Sequence, residues 1–157
     1  VTSDGRKVIA ISGGFDPIHV GHVRMIQSAA ELGDVVVILN TDGWLTRKKG
    51  YVFMNWEERH EILMSIKGVT IVMPAKDYDE TVCDSLIDLK DVLGLDCFAN
   101  GGDRKKTNTP EMNTCEMLGI EMLWNVGGEK IQSSSALIAK FKECSEKKGE
   151  QDGKRRS

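Results

Sequence analysis

Val35 to Leu39 is a run of five consecutive apolar residues, three of them valine. A strand with no polar face has to be covered on both sides, and the arrangement that does this is a parallel sheet with helices packed on each face. The preceding sequence agrees. Lys7 to Ser12 is another short run, mostly apolar and closed by Gly13 and Gly14, which reads as a buried strand. Between the two runs, from about His19 to Leu32, the residues Val20, Val23, Met25, Ile26, Ala29 and Ala30 recur at mostly helical spacing, and Gly33 is placed to stop the helix. The first unit is therefore strand, helix, strand.

The alternation continues along the chain. Asn55 to Ser65 reads as a helix, Val69 to Met73 as a strand ended by Pro74, and Thr81 to Leu93 as a helix followed by Gly94. Asp96 to Asn100 reads as a strand, Pro110 to Leu118 as a short helix with proline in its first turn, and Ile120 to Asn125 as a strand. A last helix is expected to begin near Ser133 to Ser135, whose hydroxyls suit an N-cap. Five strands alternating with helices predict an α/β fold: a single Rossmann-like, doubly wound domain with a five-stranded parallel sheet flanked by helices and ligands at the carboxyl ends of the strands. The expected domain spans residues 1–142. Residues 143–157, rich in Lys, Glu and Gly without apolar periodicity, are expected to form a charged tail, frayed helix followed by disorder.

Composition narrows the function. With 157 residues, 40% of them hydrophobic, the chain can bury one continuous core. No stretch reaches the roughly 18 to 20 uncharged apolar residues that span a bilayer, and Val1 to Lys7 lacks the apolar core of a signal peptide, so a soluble, cytoplasmic protein without membrane partners is expected. A formal net charge of −3 argues against a generally basic nucleic-acid-binding surface while permitting a local basic pocket. Cys83, Cys97, Cys115 and Cys144 have no paired spacing, so neither a zinc site nor a disulfide framework is indicated.

That pocket is expected at Gly13-Gly14-Phe15-Asp16-Pro17-Ile18-His19-Val20-Gly21-His22, the turn between the first strand and the first helix. Two glycines let backbone approach a phosphate closely, and Gly21 at the helix start leaves room for a nucleotide against the chain. His19 and His22, three residues apart, share a helix face and can donate hydrogen bonds to phosphate oxygens. The plainer alternative is a glycine turn with one capping histidine and one structural histidine.

These residues resemble the cytidylyltransferase-like nucleotidyltransferases, whose signature is Gly-x-Phe-Asp-x-x-His-x-Gly-His after the first strand. Further landmarks follow in order over roughly Lys7 to Phe141. Asn40-Thr41-Asp42 and the basic Arg47-Lys48-Lys49-Gly50 resemble the end of the family's second strand and the loop after it. Glu58-Arg59 resembles the helix in which a family arginine binds phosphate. Asn100-Gly101-Gly102-Asp103 resembles the Gly-Gly-Asp of heptose-phosphate adenylyltransferases and the Gly-Asp-Asp of glycerol-phosphate and phosphocholine cytidylyltransferases. Ser133-Ser134-Ser135 resembles the Ser-Thr-Thr that opens the final helix. The opening motif is also similar to that of nicotinate-mononucleotide and pantetheine-phosphate adenylyltransferases. One departure stands out: Gly127-Gly128-Glu129-Lys130-Ile131-Gln132 replaces an Arg-Thr-Glu-Gly-Ile segment and contains no arginine, with Lys130 as the nearest substitute.

The resemblance implies transfer of a nucleoside monophosphate, CMP first and AMP second, from CTP or ATP to a small phosphorylated polyol, sugar or amino alcohol, with release of pyrophosphate. It casts His19, His22, Lys49 and Arg59 as catalytic. It assigns Gly13, Gly14, Phe15, Gly21, His22, Asn100, Gly102, Asp103, Ser133, Ser134 and Ser135 to the nucleotide, and Asp16, Arg24, Lys48 and Arg59 to the acceptor. Mg²⁺ is the expected cofactor, bridging the triphosphate without protein ligands. The resemblance further implies a homodimer, with Tyr51-Val52-Phe53-Met54 as one candidate interface. A noncatalytic nucleotide-binding module is the rival of another class.

Overall fold

The computed structural model describes residues 1–76, 79–102 and 109–156. Its elements alternate as β1 (Lys7–Gly13), α1 (Val20–Leu32), β2 (Gly33–Leu39), α2 (Asp42–Lys49), α3 (Trp56–Met64), β3 (Val69–Pro74), α4 (Cys83–Leu93), β4 (Cys97–Ala99), α5 (Met112–Leu118), β5 (Glu121–Leu123) and α6 (Ser134–Arg156). The five strands form one sheet in the order β3-β2-β1-β4-β5, and every pairing is parallel. The chain moves outward from β1 through β2 to β3, then returns to place β4 on the other side of β1. The reversal leaves a crevice beyond the carboxyl ends of β1 and β4.

Strand geometry divides the core in two. Successive side chains point to opposite faces, so Ile9 and Ile11 join Ile26, Ala29, Val35, Val37 and Leu63 on one side of the sheet. Val8 and Ala10 join Val36, Ile38, Leu86, Leu89 and Phe98 on the other. Both faces of β1 and β2 are thus buried, which is why these strands read as continuous apolar runs. Among the described residues, no helix is long and apolar enough to cross a membrane.

Two elements differ from expectation. The basic segment read as a loop is the last turn of α2, an eight-residue helix. Only Leu45 of this helix is buried, so it carries almost no apolar period. Its ends define it instead: the Thr41 hydroxyl accepts from the Trp44 amide, Asp42 lies in the first turn, Arg47, Lys48 and Lys49 lie in the last, and Gly50 closes it in the left-handed conformation. At the carboxyl terminus, α6 continues to Arg156 with no break at residue 142, where the sequence places the start of a tail that frays from helix into disorder. Lys and Glu are good helix formers, and Lys147 pairs with Glu143 one turn away.

Candidate active site

The crevice holds a cleft of about 360 Å³ at the ends of β1 and β4. His19 is the N-cap of α1, and its Nδ1 accepts a hydrogen bond from the Gly21 amide at 3.1 Å. The Nδ1 of His22 accepts from the His19 amide at 3.2 Å. Each Nδ1 is an acceptor, which puts the proton of the neutral ring on Nε2. The two imidazoles stack with centroids 3.7 Å apart, and Phe15 meets His22 edge-on at 4.8 Å. The capping role and the phosphate-donor role that the sequence sets as alternatives are therefore compatible in His19, because they use different ring nitrogens.

Gly21 is explained by the same geometry. A Cβ there would stand 3.0 Å from two atoms of the His19 ring, so the glycine makes room for the imidazole that caps its own amide. It serves the histidine before it serves any ligand.

The opposite wall is the β5–α6 connection. Gly127 has φ +86, and a Cβ on it would fall 2.8 Å from Met25 Cα, so the loop lies directly on the backbone of α1. The Ser133 hydroxyl accepts from the Ala136 amide as an N-cap, and Ser134 Oγ donates to the Pro17 carbonyl at 2.8 Å, latching α6 to the histidine turn. All three serines line the cleft. The hydroxyls of Ser133 and Ser134 are engaged within the chain, whereas Ser135 is exposed and lies in the open first turn of α6.

Charge within the cleft comes from three sides. Arg24 of α1, Lys49 at the end of α2 and Lys130 of the β5–α6 loop all line it, with Glu129 as the acidic exception. Burial, first, and then the nearby Lys130 and Lys49 hold His19 below the ordinary histidine pKa. Burial also lowers Lys49, an effect that Asp16 partly offsets. Among the described residues, Lys49 and Arg24 have no ion-pair partner. Lys130, considered from the sequence only as a stand-in for an arginine, is placed by the fold against His19. Gly127 was missed; its signal was the Gly-Gly pair just after the last strand.

The remaining expected residues divide. Gly13, Phe15, Asn100 and Gly102 line the cleft. Asn100 also ties the strand ends together, its side-chain amide donating to the Leu123 carbonyl at 3.3 Å. Asp103 lies outside the described residues.

Four assignments need correction. Arg59, expected to grip phosphate, has a fully buried side chain: Nε donates to the Met54 carbonyl, Nη1 to the carbonyls of Gly14 and Asn40, and Nη2 to Asp42 Oδ1 at 2.7 Å. A guanidinium spent on four acceptors is a strut. Asp16, expected at the acceptor, is also fully buried, and its two oxygens accept from the amides of Phe53 and Met54, each at 2.7 Å. Lys48, one residue from the cleft-facing Lys49, turns outward to Glu80 at 3.0 Å. Gly14, expected at the nucleotide, contributes its carbonyl to Arg59 and is not part of the cleft lining.

The model of the family described as Cytidylyltransferase-like matches residues 10–144. The bifunctional protein HldE of Citrifermentans bemidjiense is 34% identical over 144 residues, which cover 88% of this chain and 28% of HldE. Glycerol-3-phosphate cytidylyltransferase of Bacillus subtilis is 30% identical over 132 residues, covering 83% of this chain and 98% of that protein. The chain thus spans little more than a quarter of that HldE and nearly all of the cytidylyltransferase. A lipopolysaccharide core biosynthesis protein from Thermoplasma volcanium shares the fold, with a TM-score of 0.61 at 22% identity over 76% of this chain and 94% of that one.

Proposed function

The chain belongs to the cytidylyltransferase-like family, and from that premise we propose that it transfers a nucleoside monophosphate from a nucleoside triphosphate to a small phosphorylated acceptor. The observation that carries the reading is the stacked pair His19 and His22, each tied to backbone through Nδ1 with its proton on Nε2, at the mouth of a sheet crevice.

In this reaction an acceptor phosphate oxygen attacks the α-phosphorus in line. A new P–O bond forms as the bond from the α-phosphorus to the β-bridging oxygen breaks, and that oxygen leaves with its electron pair as part of pyrophosphate. The acceptor phosphate is already ionised at neutral pH, so no protein nucleophile or general base is needed. The protein contributes position and charge neutralisation. Nε2–H of His19 and His22 donate to the α-phosphate and the leaving oxygen. Lys49 faces the acceptor and α-phosphates, while Lys130 and the N-terminal turn of α6 hold the outer phosphates.

The cleft's groups are mostly cationic or hydrogen-bond donors, which fits a polyphosphate. Among the described residues, no cluster of three or more His, Cys, Asp or Glu side chains is arranged to hold a metal. Mg²⁺ is the proposed cofactor, and carried on the triphosphate it would supply additional charge neutralisation.

CTP is the first reading for the donor. ATP is the second, favoured by Gly101-Gly102 at the end of β4, which is similar to the heptose-phosphate enzymes. Pyrophosphate release, measured with each of the four triphosphates plus Mg²⁺ against phosphorylated polyols, sugars and amino alcohols, tests the proposal. Release is expected to require one triphosphate and one acceptor and to be lost in His22→Ala. Triphosphate binding with no release across the panel would favour a noncatalytic module, and no binding at all would sink both readings.

A further inference from the structure

Helix α2 is the least self-supporting part of the cleft. At eight residues it is far shorter than the ~12 to 15 needed for marginal stability in isolation. Leu45 is its only buried residue and packs against Gly14, where a Cβ would lie 2.8 Å from Leu45 Cδ2. The exposed Lys48–Glu80 pair is a weak tether at the far end, so something else must fix the direction in which the helix runs, because Lys49 is its last residue, about 10 Å along the axis from Asp42.

Arg59 is placed to do so. It lies on α3, outside the cleft lining, and its guanidinium reaches three backbone carbonyls and one carboxylate. The Gly14 carbonyl belongs to the turn that leads to His19. The Asn40 carbonyl ends β2, and Asp42 is the first residue of α2. The Met54 carbonyl belongs to the segment whose amides Asp16 holds from the histidine turn. One buried cation thus fixes both the histidine turn and the start of the helix that carries Lys49.

We propose that Arg59 is a positioning residue that acts through Asp42: the ion pair sets the direction of α2 and thereby holds Lys49 in the cleft opposite the paired histidines. The functional consequence rests on the transferase reading, but the placement of Lys49 does not. Truncating Arg59 itself leaves the carbonyls of Met54, Gly14 and Asn40 without their donor, and unfolding would obscure the result. Asp42 is the better residue to change, because its side chain is 43% exposed and Arg59 keeps its other three bonds.

The experiment compares Asp42→Ala with the unmodified chain in two ways. The first is the titration of the Lys49 ammonium, followed by NMR on side-chain-labelled lysine and assigned by its disappearance in Lys49→Met. Burial holds this group below its ordinary pKa of 10.5. In folded Asp42→Ala the titration is expected to move up toward that value as the helix end swings into water. The second is the transfer rate in a double-mutant cycle. Asp42→Ala is expected to slow transfer by about tenfold or more, and to change the residual rate of Lys49→Met by less than about twofold.

An unmoved Lys49 titration in the folded variant, or an equal loss of rate in both backgrounds, overturns the proposal. Absence of transfer in the unmodified chain instead overturns the transferase reading, leaving the titration to decide the role of Arg59.

Discussion

Arg59 and Lys49 are both cations near the carboxyl end of β1, yet the structure uses them in opposite ways. Arg59 is fully buried behind the histidine turn and spends its donors on Met54, Gly14, Asn40 and Asp42. Lys49 stands in front, partly desolvated, with no ion-pair partner among the described residues. Asp16 belongs to the first region and accepts two backbone amides. His19 and His22 belong to the second and turn Nδ1 inward. Behind the turn, polar groups are satisfied and rigid. In front of it, the Lys49 ammonium and the two imidazoles are held in place facing the cleft, the arrangement that preorganised electrostatic catalysis requires.

The largest expected effect breaks the rear region. Arg59→Met should cost about 3 to 5 kcal/mol of stability, the range for removing one partner of a buried polar network. Urea unfolding measures this, and a loss below about 1 kcal/mol would mean that the network is not what holds the turn.

The front region should respond in rate rather than stability. His19→Asn replaces the cap with a residue that is itself a preferred N-cap, so the melting temperature should change little. The Nε2 donor is lost, and transfer should fall by about 100-fold. If the rate survives, His19 is only a cap, and the contrast between the two regions fails.

The smallest effect sharpens the contrast through pH. The folded-state pKa of His19 is depressed from 6.5, so as pH falls below that value the unfolded chain takes up the proton first. The histidine's contribution to stability should therefore be fully present above pH 6.5 and lost as pH falls through the lower folded value. The group is only partly buried, and screening keeps the effect below about 1 kcal/mol. Unfolding curves from pH 8 to pH 5, compared between the natural chain and His19→Asn, should nearly coincide at pH 8 and separate toward the acid end, where the natural chain becomes the less stable of the two. A difference that is constant with pH would show that His19 titrates alike in both states.

Local pattern was enough to identify most of the scaffold. The Val35–Leu39 run and the strand-glycine-helix sequence around Gly13 specify a parallel α/β sheet, because burial on both faces leaves no other economical arrangement. Helix α2 was missed because its identity lies in its ends, Thr41 and Gly50, and its single buried residue leaves little period to read. The histidine motif located the cleft for a similar reason: a cap and its glycine are neighbours in sequence, and their geometry is local.

Sequence by itself determined the fold class, the strand end at which the cleft opens and the residue types available there. Only the tertiary structure decided which charges face a ligand. Arg59 meets Gly14 across 45 residues, Asp16 meets Phe53 across 37, and Ser134 meets Pro17 across 117. A side chain's charge is written in its residue type. Whether that charge is consumed within the protein or presented to a ligand depends on desolvation and on partners that the chain brings together only when it folds.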